Sequence, residues 1–496
     1  MLVLFLLLPF HALFVTVGTR LLVGAGHPPL PELAIWKELL LVLIFGLGIF
    51  ELLPRVKKRL AVNGERLAFR LDIEVGLILG MLVISFLLAA LSSQLSALSF
   101  MFGFKYLFLP LILFLLFRAL PWEEKFFEQS LFPAILVVAG IVALYGILSF
   151  FLPLHFFTAL GYSDAHSLYS PQTPLSAFQL ISDSGIRRIQ STFAGPNQLG
   201  MWLLLPYAVG LVSVMRGQRA VSGERLAVSN ERYRAKKLSA LSSQLSASHL
   251  FAIYYLLLIV ATLFLTFSRA AWLAAFIITL VASVKILRGP IRETVVITLL
   301  TFACLAFGLT AFLAPKLLHR GISNMQHVER TRDAFFALFR ASWGHGLGSA
   351  GPASNRVRDA CAYFPDGADT RWARDRKDLC IFVGGAQVQP FIAEHVCQCA
   401  SLPENWYLQV GLELGVAGLI LFVLLVLSLL WKLSALSSQL SVFLVFLGVS
   451  IAALFLHAWE DSAVAYTIWG IAGIALASAA KPQGLLRFFL TRFQRQ

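Results

Sequence analysis

"PENWYLQVGLELGVAGLILFVLLVL", Pro403 to Leu427, decides the fold class of this chain. From Tyr407 to Leu430 the chain is predominantly apolar and long enough to cross a hydrocarbon core as a helix. The opening of the stretch is different: Glu404, Asn405, Gln409 and Glu413 follow one another closely. Asn405, Gln409 and Glu413 are spaced i, i+4, i+8 and so share one helix face. A charged or amide group facing lipid is costly, so this stripe must face the helix bundle or a wet cavity. The stretch therefore predicts a membrane span with a polar site at its mouth.

The rest of the chain extends that reading. Its 496 residues are 58% hydrophobic and 13% charged, against about 45–50% and about 25% in soluble domains. The apolar excess falls in runs of span length. Twelve are expected, at 1–17, 38–53, 73–91, 104–120, 131–152, 198–215, 250–267, 270–287, 294–314, 407–430, 441–457 and 463–480. The first lacks a basic leader and a small-residue cleavage site, so it reads as a retained span. The expected class is an all-α polytopic bundle with a large periplasmic loop subdomain. It divides into residues 1–314 (nine spans with an external loop at 153–197), 315–406 (the large loop, partly helical) and 407–496 (three spans and a basic tail).

Basic residues set the expected orientation. Arg55, Lys57, Lys58, Arg59, Arg66 and Arg70 crowd one loop, and Arg216 to Lys237 another. Lys285, Arg288 and Arg292 follow span eight, and Lys481 to Arg495 fill the tail. With twelve spans all these fall on one side, which the positive-inside rule makes cytoplasmic together with both termini. The formal charge of +14 thus reflects topology and attraction to anionic lipid. No basic stripe interleaved with aromatics supports a nucleic-acid partner.

In the segment 315–406, residues 327–341 place Val328, Phe335, Leu338 and Phe339 at helical spacing. The glycines from Gly344 to Gly351 read as irregular backbone. Four of the five cysteines also lie here. Cys397 and Cys399 are expected to pair with Cys361 and Cys380, in either order; free thiols, or a zinc site adding His395, are the alternatives. "LSSQLS" recurs at 91–96, 241–246 and 436–441, and "GERLA" at 64–68 and 223–227, at irregular intervals that suggest a tolerated insert.

Three stretches carry candidate chemistry. "LTFSRAAWLAAF", 265–276, joins two spans and puts Arg269 on the side where arginine is disfavoured. It either snorkels to lipid phosphate beside Trp272 or binds an anion at the bundle mouth; the second reading is favoured. "RRIQSTFAGPNQLGMWL", 187–203, puts Arg187 and Arg188 just before a span, with Asn197 as the expected N-cap. Guanidinium groups and helix N-termini are both phosphate-binding devices. The opening stretch adds Glu404, a general base, an arginine partner or a simple helix-terminal carboxylate. Weaker candidates are His345 in a glycine-rich loop, and His457, Glu460 and Asp461 in one turn.

Together these stretches resemble the O-antigen ligase and O-antigen polymerase family of bacterial inner-membrane glycosyltransferases. The resemblance rests on Arg188 with Phe193, Pro196, Asn197 and Gly200; on Ser268-Arg269 opening a span; and on Asn405 nine residues before the Gly415-x-x-Gly418 pair. It covers about 180–480 and departs from the family where Glu404 replaces its histidine. The resemblance implies an undecaprenyl-diphosphate-linked glycan as donor, a glycan, lipid or protein acceptor, and no cofactor or metal. Catalytic roles fall on Glu404, Arg269 and Arg188. Substrate binding falls on Arg187, Asn197, Asn405, Gln409, Glu413 and His345. A lipid-linked glycan transporter and a non-enzymatic scaffold are the competing classes.

Overall fold

The computed structural model describes residues 1–62, 72–91, 96–123, 125–163, 173–181, 186–227, 250–313, 321–364, 366–367, 370, 379–390 and 392–479. It is a helical bundle. Helices α1 (Leu2–Val23), α2 (Trp36–Val62), α3 (Ile73–Leu91), α4 (Ala97–Ala119) and α5 (Phe132–Phe151) lead to α6 (Pro196–Ala227). Then come α7 (Leu250–Leu265), α8 (Arg269–Ile286), α9 (Gly289–Leu313) and α10 (Gly321–Arg340). The last are α11 (Trp406–Ser434), α12 (Leu440–Ala452) and α13 (Ser462–Ala479).

Each of the twelve apolar runs falls on a helix. Eight helices of the described residues are long and apolar enough to cross a membrane, and α7, α12 and α13 are apolar but shorter. This is a polytopic, multi-pass membrane architecture. Helix α2 exposes Leu39, Val42, Leu43, Leu47 and Phe50 along one side, as a lipid-facing helix does. Between Pro196 and Gly217, helix α6 is buried on almost every side, as a central helix is.

Small residues bring the core helices together, because in lipid close packing rather than water exclusion holds helices to one another. Helix α13 lies along α4, where a side chain on Gly473 would meet the Phe114 carbonyl at 2.5 Å. Gly448 of α12 is likewise closed off by Ile278 of α8 at 2.6 Å. At the end of the bundle where α3 begins and α11 finishes, the fully buried Glu74 receives Lys432 at 2.7 Å and Arg118 at 3.2 Å. Arg216 and Lys285 bond the backbone of the α11–α12 connection at 2.5 and 3.1 Å, so basic side chains collect at this end.

The opposite end carries the two long connections, and here the all-α expectation is corrected. Two-residue strands β1 (Gln179–Leu180) and β2 (Arg187–Arg188) form a hairpin. Between α10 and α11, β3 (Ala360–Phe364), β4 (Leu379–Val383) and β5 (Ala386–Gln389) form a sheet, β3 parallel and β5 antiparallel to β4. An apolar run followed by Gly384-Gly385 and the alternating "AQVQ" is a hairpin signal that the expectation of a partly helical loop did not include. Disulfides join Cys361 to Cys399 and Cys380 to Cys397, which settles the order left open above. The alternative metal set of Asp359, Cys380, His395 and Cys397 does converge. With both sulfurs spent in a disulfide, however, it offers no thiolate.

Candidate functional site

The site begins with the period of a strand. Successive side chains of a strand point to opposite faces, so Arg187 and Arg188 of β2 diverge. Arg187 stacks over Phe178 at 4.4 Å and donates to the Leu152 carbonyl at 3.2 Å. Arg188 turns into a cavity of about 700 Å³. Its Nε donates to the Thr266 carbonyl at 2.9 Å and its Nη2 to Asn197 Oδ1 at 2.7 Å. Asn197 is therefore not the N-cap expected for α6, since Pro196 already occupies the first helical position, where its missing N–H costs nothing. Its amide instead fixes the guanidinium.

Helix α8 supplies the second cation. The α7–α8 corner is locked by Thr266, whose Oγ1 donates to the Leu263 carbonyl at 2.6 Å, and by Trp272, whose Nε1 donates to the same carbonyl at 3.0 Å. Trp272 thus braces the corner. At Gly200 of α6, an added Cβ would meet Ala271 at 2.9 Å and Ser268 at 3.3 Å. That close approach sets Arg188 and Asn197 beside the first turn of α8, so Ser268, Arg269 and Ala270 line the same cavity. Ser268 is 2% exposed and its Oγ has no partner among the described residues.

Helix α10 and the start of α11 close the other wall. Glu404 sits at a φ of 51°, unusual for a side-chain-bearing residue, and faces the cavity. One of its carboxylate oxygens meets His327 Nδ1, and the other accepts from Arg330 at 2.5 Å. Burial alone would raise this carboxyl. The bond from His327 and the nearby positive charges of His327, Arg330 and His457 outweigh it and hold Glu404 below the usual carboxylate range. Val328, Phe335 and Phe336 of α10, with Leu273 of α8, make one wall apolar.

Four of the residues singled out in the sequence therefore share one cavity: Arg188, Asn197, Arg269 and Glu404. The volume lies within the usual range for small-ligand sites. Sequence reasoning missed His327 and Arg330. They stand i, i+3 on α10 and share a face, but the pattern "HVERTRD" was read for its apolar positions only.

The remaining candidates are corrected by what they touch. Asn405 is the N-cap of α11: it accepts from Leu408 N at 3.0 Å and donates to the Leu454 carbonyl at 2.8 Å. Gln409 faces inward to His457 Nδ1 at 2.8 Å, and Glu413 accepts from Gly348 N at 3.1 Å. His345 uses its backbone N–H, which donates to the Leu412 carbonyl at 2.8 Å, while its side chain is exposed. The reason is a break in α11 at Gly415, whose φ is 73°. The carbonyls freed there need donors. Gly346 N donates to Glu413 O at 2.9 Å, and Val416 N finds the Ser342 carbonyl at 2.8 Å. The polar stripe thus packs against the helix break and the 457–461 turn, outside the lining of this cavity.

The 457–461 turn is likewise structural in its contacts. Asp461 caps α13 by accepting from Ala463 N at 3.0 Å and Val464 N at 3.1 Å. Burial raises the Glu460 carboxyl well above its usual range and lowers the His457 imidazole to about 4.

No protein-family model and no curated protein matches this chain.

Proposed function

We propose that this protein is a glycosyltransferase of O-antigen ligase type in a bacterial inner membrane. It moves or polymerises an undecaprenyl-diphosphate-linked glycan onto an acceptor hydroxyl at the periplasmic face. The observation that carries this reading is the convergence of Arg188, Arg269, the α8 N-terminus and the unpartnered Ser268 hydroxyl on one cavity. Helix N-termini and guanidinium groups both favour phosphate, and a diphosphate leaving group needs its developing charge held in place. The Arg188 fork is fixed before any ligand arrives, so little reorganisation accompanies binding. The apolar wall from α10 takes the first isoprene units of the carrier, and Glu404 belongs to the acceptor side.

A transporter would also use a broken helix. Here loop backbone fills the break in α11, and the two cavity arginines, Arg188 and Arg269, share one site at one end of the bundle, which favours chemistry at a surface over passage. The test is reconstitution into vesicles with an undecaprenyl-diphosphate oligosaccharide. Release of undecaprenyl diphosphate is expected from the wild type, with a fall of about 10²-fold or more in Arg269→Ala and Arg188→Ala. Passage of the intact glycolipid across the bilayer without release would replace this reading with the transporter.

A further inference from the structure

Two groups at the cavity wall could take the proton from an acceptor hydroxyl, and they touch each other. Glu404 is the obvious one. Yet both of its oxygens are committed, one to His327 Nδ1 and the other to Arg330 at 2.5 Å. Its backbone is pinned too, since the Pro403 carbonyl accepts from Thr331 Oγ1 at 3.3 Å. A carboxylate that already accepts from the Arg330 guanidinium and from the His327 ring N–H is a poor proton acceptor, because protonation would cost it those contacts. His327 differs. Its Nδ1 is spoken for by Glu404, its ring lines the cavity and it is half-buried. A carboxylate on one ring nitrogen of a neutral imidazole fixes the N–H there and leaves the lone pair on the other. The Nε2 of His327 is therefore the basic atom.

We infer that His327 is the general base of this site and Glu404 its positioning residue, an inference that rests on the glycosyl-transfer reading above. In the step, His327 Nε2 takes the acceptor O–H proton as the acceptor oxygen bonds the anomeric carbon. The bond from that carbon to the carrier phosphate breaks. Its electron pair leaves on the diphosphate, held by Arg188 and Arg269, and the imidazolium later returns its proton to water or to the diphosphate. Glu404 stabilises the transient imidazolium, and Arg330 keeps Glu404 ionised. Because α10 belongs to the long connection rather than to the apolar bundle, the base and the diphosphate clamp come from different parts of the chain. Both must be assembled for turnover.

The test uses the full chain in vesicles with an undecaprenyl-diphosphate oligosaccharide, reading undecaprenyl diphosphate released and, separately, donor bound. His327→Asn and His327→Ala are compared with wild type at matched thermal stability; if the alanine variant unfolds, the asparagine variant decides. The expected result is a turnover loss of about 10²–10⁴-fold with donor affinity unchanged. Free imidazole should restore part of the rate in His327→Ala, and the ascending limb of the pH–rate profile should vanish in both variants. The groups that also face this imidazole are Glu404, Arg330 on its own helix and His457 from the 453–461 turn. Glu404→Gln and His457→Gln should therefore move that limb without abolishing it. A His327→Asn rate within about twofold of wild type, or a loss confined to donor affinity, overturns the inference and leaves the clamp intact. A wild type that binds donor but releases nothing overturns the glycosyl-transfer reading itself.

Discussion

Arg187 and Arg188 show how much one position matters in a strand. They are the same residue type side by side, yet one stacks on Phe178 and the other enters the cavity. Arg188→Lys keeps the charge but loses the planar fork that meets Thr266 and Asn197 together. We expect it to weaken donor binding about tenfold or more, as read by vesicle-bound donor, whereas Arg187→Ala should leave donor affinity near wild type. The titrating residues make a signed prediction as well. The Glu404 carboxyl is lowered in the folded protein, so its stabilisation is present above the ordinary carboxylate range and is lost as pH falls through the folded value. His457 is lowered to about 4, so between 6.5 and that value the unfolded chain binds the extra proton and stability declines with falling pH. Thermal unfolding across pH 7 to 4 should show a shallower decline in His457→Gln than in wild type.

At the scale of elements, the break in α11 couples the bundle to the long connection. Gly415 must adopt φ 73°, and its missing Cβ admits the backbone of Ser342 and Trp343. Gly415→Ala should cost about 1–3 kcal/mol from the backbone conformation and the collision together, read as a lower melting temperature. The disulfides act on the same connection. They close loops of 38 and 17 residues, and chain entropy alone assigns them about 4 and about 3 kcal/mol. Because the smaller loop is nested in the larger, Cys380→Ser with Cys397→Ser should cost less than about 3 kcal/mol while the outer disulfide remains. Proteolysis should show increased cleavage between α10 and α11, with the apolar helices still protected.

Across the whole molecule, the buried Glu74 network and the Arg216 and Lys285 contacts place basic groups at one end of the bundle, and the cavity sits at the other. If the first of these ends is cytoplasmic, a single cysteine at exposed His27, between α1 and α2, should react with a membrane-impermeant maleimide on intact cells. One at exposed Arg288, between α8 and α9, should react only after permeabilisation, each in a Cys304→Ser background. The reverse pattern would invert the bundle and move the donor to the other leaflet.

The sequence by itself determined the helices, because a run of some twenty apolar residues has no other way to satisfy its backbone in lipid. It also marked Arg188, Arg269 and Glu404, since a charge at the mouth of a span is costly enough to stand out. It did not show the small sheet, whose short strands leave a weak pattern beside long helices. Nor could it say which of two adjacent arginines enters the cavity, or that Glu413 and the His345 backbone meet at a helix break while Gln409 meets His457. Those outcomes depend on strand register, on one positive φ at Gly415 and on which carbonyls lack donors. Tertiary packing alone decided that His327, 77 residues before Glu404, meets it across the cavity wall. A contact between distant segments leaves no period in either.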